Sequence, residues 1–89
     1  MLTLPAVLTH AESAVFARGL PQALQSEPSE VVADAGALQQ FDSSALAVLL
    51  ECRRQALTAG KAFSVRAAPA RLRELASLYG VDVLIPAAA

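Results

Sequence analysis

The 89-residue chain has no tryptophan, one tyrosine, one cysteine and one histidine. With Cys52 alone, no intrachain disulfide can form. With His10 as the sole imidazole, a zinc site lacks its usual ligands and a catalytic constellation lacks its commonest general base. Glycines stand singly at positions 19, 36, 60 and 80, each explained by a turn or a helix end, so no phosphate-cradling loop exists and no nucleotide should bind to the chain itself. Seven basic residues face eight acidic ones without clustering, which leaves no footprint for a nucleic-acid backbone. No apolar run approaches the roughly 20 residues that span a bilayer. The apolar opening Met1 to Leu8 has neither a basic leader nor a small-residue cleavage signal. The expectation is a soluble, cytoplasmic chain that meets a membrane only through a partner. Asp34 and Asp42 read as a turn residue and a helix-start residue, so neither a metal nor a cofactor is assigned.

What is abundant is apolar: 55% of the residues, above the roughly 45–50% of globular chains, although much of it is alanine. Residues 1–89 suffice for one small domain, with apolar surface to spare for a partner. Leu2-Thr3-Leu4 reads as a strand stopped by Pro5. Thr9 and Glu12 fit a capping box, and Phe16, Leu20, Ala23 and Leu24 recur at helical spacing, so a helix is expected over about 10–25, weakened at Gly19 and Pro21. Glu30 to Ala35 has the continuous apolar centre of a strand buried on both faces.

A second helix is expected from about Ser43 to Ala59, with Ala45, Leu46, Leu49, Leu50, Ala56 and Leu57 on one arc. Cys52 lies towards that arc as a buried thiol. Arg53 falls within it, with its stem on the core and its guanidinium outside, or reaching an acid of a partner. Lys61 to Arg66 alternates with a strand period. Pro69 suits the first position of a last helix that buries Leu72, Leu75, Ala76 and Tyr79 and stops at Gly80. Val81 to Ile85 is read as a final strand, and Ala87 to Ala89 as a frayed end. The order β-α-β-α-β-α-β implies a small α/β domain with about four strands, mixed or parallel, and three helices.

The segment Asp42-Ser43-Ser44 carries more than a helix start needs. One oxygen suffices to cap the free amides of the first turn, and the positive end of the helix also favours an anion there. Two adjacent hydroxyls therefore leave one for another task.

From these residues outward the chain resembles the STAS domain, the module of sulphate transporters and anti-sigma factor antagonists. The strand Val31 to Ala35, the helix Asp42 to Leu50 and the ending Leu78-Tyr79-Gly80-Val81 through Leu84-Ile85-Pro86 are similar to its MlaB branch. The likeness is close over residues 29–86 and looser before them. It implies a non-enzymatic subunit of a phospholipid ABC transporter that maintains outer-membrane asymmetry, bound to the transporter's ATPase on the cytoplasmic side of the inner membrane. By that resemblance Asp42, Ser43, Ser44 and Ala47 form the partner-binding end, with Ser43, directly after the Asp, at the ATPase contact. The anti-sigma antagonists imply an alternative, a partner switch phosphorylated on the second serine, here Ser44. Those proteins typically have glycine after the two serines, where this chain has Ala45.

Overall fold

Two-residue and five-residue extended segments, separated by helices after β2, β4 and β5, wind the chain into two small parallel sheets. The computed structural model describes residues 1–88. Strands β1 (Leu2–Thr3), β3 (Glu30–Asp34) and β5 (Ala62–Arg66) form a three-stranded parallel sheet in the order β1-β3-β5. Strands β2 (Val7–Leu8) and β4 (Gln40–Phe41) form a separate parallel pair. The helices are α1 (His10–Arg18), α2 (Leu20–Gln25), α3 (Ser44–Thr58) and α4 (Ala70–Leu78). The α/β class is as expected, and β3 is the central strand.

Register explains which face is buried. Leu2 lies opposite Ala33 and Ala33 opposite Val65, while Val31 lies opposite Phe63, and all five are buried. Above this face α1 and α3 pack on each other and α3 packs on β5, as crossovers of one hand require. The core adds Leu4, Leu8, Leu20, Leu49, Cys52, Leu72 and Ile85, each at most 1% exposed. The opposite face carries Thr3, Glu30, Val32, Asp34, Ala62, Ser64 and Arg66, exposed or half-buried. The apolar run of β3 therefore does not mark a strand covered on both sides. On the open face Asp34 and Arg66, partners in register, form an ion pair of 3.2 Å.

Five expectations are corrected. The first helix breaks at Gly19, because Pro21 supplies no amide hydrogen and sits instead in the first turn of α2, where none is needed. Residues Asp82–Leu84 form a 3-10 turn, not a strand. Gly80, at φ +71°, turns the chain out of α4, and the Val81 amide donates back to the Ala76 carbonyl at 2.9 Å, so the segment is directed away from the sheet. The fourth position beside β5 is filled later: the Val65 amide donates to the Pro86 carbonyl at 2.8 Å and the Ala88 amide to the Val65 carbonyl at 2.9 Å. Ala87 and Ala88 are thus held in place, and Ala89 lies outside the described residues. Finally, Tyr79 is 58% exposed, since Ala76 is the last residue that α4 buries. Leu57 is likewise 48% exposed, its place on the buried arc of α3 taken by Val48 and Cys52.

Candidate functional site

The β2-β4 pair sets two helix starts side by side. Val7 aligns with Gln40 and Leu8 with Phe41, and the Ala6 carbonyl accepts the amides of Gln39 at 2.8 Å and Gln40 at 3.0 Å. Two residues beyond β2 comes His10 at the start of α1, and three beyond β4 comes Ser44 at the start of α3. Both starts lie at the carboxyl edge of the sheet, the side from which crossover helices depart and where parallel α/β domains place their sites.

At α3 the acid does the capping. The Ser44 amide donates to Asp42 Oδ1 at 2.9 Å, and the hydroxyl of Ser43, the residue at the cap position, makes no capping bond. The Asp42 carboxyl is held below the ordinary carboxylate range, chiefly by the Ser44 amide against opposing desolvation, and further by the Ser44 hydroxyl and by the backbone and ring of His10. The Asp42 carboxylate is thus engaged with the Ser44 backbone amide. Among the described residues the Ser43 hydroxyl has no side-chain partner, and Asp42, Ser43 and Ala47 are exposed while Ser44 is half-buried. Ser43 and Ala47 are four apart at the start of the helix and present one face.

A shallow groove of about 230 Å³ runs from this helix start between α3 and α1, lined by Ser44, Ala47, Val48 and Glu51 on one side and His10, Ser13, Ala14 and Ala17 on the other. That is below the roughly 300–1,000 Å³ of small-molecule pockets and suits a few side chains of a protein. Its α1 wall was not read from the sequence as part of a site. The signal available was the pair Ala14 and Ala17, small residues three apart on a helix otherwise interrupted by larger ones. At the far end Glu51 is committed within α3: Arg54 grips both carboxylate oxygens at 2.9 and 2.5 Å and Gln55 adds a bond of 2.7 Å, which drives the Glu51 carboxyl down to about 2.

The capping box of α1 takes another form than the sequence implies. The Thr9 hydroxyl donates to the Glu12 carboxylate and accepts no capping bond from a backbone amide, and the Glu12 carboxyl lies below its usual range chiefly because of that hydroxyl. Cys52 is buried, and burial pushes its thiol up to about 12, as an inert core residue requires. Arg53 is half-buried. No helix among the described residues is long and apolar enough to cross a membrane.

A search of curated proteins finds no match to the chain. A family model described as "Mlab, STAS domain" matches residues 1–86, nearly the whole length, including the N-terminal third where the sequence likeness was loosest. The parallel sheet, the capped start of α3 and this match agree, and the chain belongs to the MlaB-type STAS domain family.

Proposed function

We propose that the chain is a non-enzymatic subunit of a phospholipid ABC transporter, peripheral to the inner membrane on its cytoplasmic side, that binds the transporter's ATPase through the start of α3. The observation that carries this reading is the division of labour in Asp42-Ser43-Ser44. Asp42 caps the helix through the Ser44 amide, so neither hydroxyl is needed for that work, and Ser43 is the exposed one of the two, with exposed Ala47 four residues on. Small residues at a docking face let a partner's backbone approach, and a hydroxyl supplies one directional bond. The nucleotide in this arrangement belongs to the ATPase. Ser43→Lys should leave the circular dichroism and melting temperature of the chain unchanged and abolish its co-purification with the ATPase subunit. Undisturbed co-purification would refute the role of this helix start.

The switch alternative places a phosphate on Ser44. Ser44 is half-buried, two residues from Asp42, in a groove that also holds Glu51. A phosphate brings about 1.5 to 2 negative charges, which both carboxylates would repel. These surroundings favour the docking reading. Intact-mass measurement of the protein from its native host separates the two, since the switch requires a fraction heavier by one phosphate at Ser44.

A further inference from the structure

Of the seven basic side chains, Arg53 and Arg71 have neither a hydrogen-bond or ion-pair partner among the described residues nor a place at a helix end that favours a cation; Arg53 is half-buried on α3, whereas Arg71 is exposed. Arg54 is bound to Glu51, Arg66 to Asp34, Arg73 donates to the Ile85 carbonyl at 2.6 Å, and Lys61 donates to the carbonyls of Leu24 and Glu27 at 2.6 and 2.7 Å, which caps the end of α2. Arg18 lies in the last turn of α1, where a helix dipole favours a cation. Arg71 is exposed in the first turn of α4, where the dipole opposes a cation and no acid is present, and it has no hydrogen-bond or ion-pair partner among the described residues. It lines a polar cavity of about 450 Å³ together with Val7, Thr9, Glu12, Gln39, Gln40 and Phe41. Glu12 is the one acid there, and it is taken by the Thr9 hydroxyl and forms no ion pair with Arg71. The side-chain amides of Gln39 and Gln40 are exposed and unpaired among the described residues. Arg71 and the two amides thus face the cavity without a bonded partner among the described residues, beside the Glu12 carboxylate.

The cavity lies next to the segment that leads into α3: Phe41, on its wall, immediately precedes Asp42. We infer that Arg71, with the amides of Gln39 and Gln40, receives an acidic side chain of the ATPase subunit and extends the docking surface from α3 across β4 to α4. This rests on the docking reading above. An exposed arginine at the rim of an interface acts chiefly on the rate of encounter and on its salt dependence, less on dissociation.

The test is surface-immobilised association of the purified ATPase subunit with the wild-type chain, Arg71→Ala, Arg71→Glu and Ser43→Lys over a range of salt concentrations, with circular dichroism of each variant. Arg71→Glu should lower the association rate about tenfold at low salt, leave dissociation within about twofold, and flatten or reverse the salt dependence, with Arg71→Ala intermediate. An acid-to-lysine substitution on the ATPase that restores the rate of Arg71→Glu would identify the partner carboxylate. If Ser43→Lys abolishes binding while both Arg71 variants keep the wild-type rate and salt dependence, the inference about Arg71 is wrong and the docking reading stands. If Ser43→Lys also binds normally, the docking reading itself fails. Arg71-dependent binding to anionic phospholipid vesicles, with ATPase association unchanged, would likewise overturn the assignment.

Discussion

Among Asp42, Ser43 and Ser44 the sequence leaves open which oxygen caps α3, and the structure gives that work to the carboxylate. Asp42→Ala should therefore lower the melting temperature by roughly 4 to 8 °C, the shift that losing a helix cap brings to a domain of this size, whereas Ser43→Ala should leave it unchanged within error. A thermal melt of the two variants checks the order. The pH dependence has a definite sign. Because the Asp42 carboxyl is depressed in the folded chain, its contribution is complete above the ordinary aspartate range and is lost as pH falls through its lower, folded value. Acid titration of the wild type against Asp42→Asn should show the variant losing less stability below about pH 4. Cys52 illustrates a residue whose fate was legible from its neighbours alone: it lies on the apolar side of α3, is 1% exposed, and its thiol is pushed up to about 12. A thiol reagent at pH 8 should modify it only in denaturant.

Elements whose stability is local were legible, and those made by pairing were not. The starts and ends of α3 and α4 follow from Asp42, Gly60, Pro69 and Gly80, and both helices end with the amide after the glycine donating five residues back, Lys61 to Ala56 at 2.8 Å and Val81 to Ala76 at 2.9 Å. Gly60 has φ +75° and open space where a Cβ would stand. Gly60→Ala should thus cost about 1 kcal/mol through the backbone alone, measurable by urea unfolding. Ala67 is the converse case, a left-handed residue at φ +57° that is not glycine. Ala67→Gly should be neutral or stabilising by up to about 1 kcal/mol. Strands β2 and β4 escaped the sequence because two residues carry no period, and their parallel pairing joins segments some thirty positions apart. The segment 81–85 misled for a related reason: its apolar composition suits a strand, but the turn at Gly80 aims it elsewhere, and only Pro86 to Ala88 reach the edge of β5.

For the molecule as a whole, the class and the central strand were readable because alternation in β5 and helical spacing in α3 both report burial against one core. What the sequence could not report is how far the second face is covered. A run such as Val31-Val32-Ala33 looks the same whether one face or both are covered, and here Val32 and Ser64, on the second face, are only half-buried. A single core makes the domain sensitive to its centre: Leu49→Ala, at a position with no exposure, should cost about 2–5 kcal/mol, a large part of the stability of a small domain. The same plan gathers the starts of α1, α3 and α4 at the carboxyl edge of the sheet, where Ser43, Ala47 and Arg71 lie, and sends the exposed Leu78 and Tyr79 to the opposite end of α4. The most direct measurement is amide hydrogen exchange of the chain, alone and saturated with its ATPase subunit. The account predicts new protection over residues 40–48, with little change over residues 76–84. Protection confined to residues 76–84, or no protection around Ser43, would contradict it.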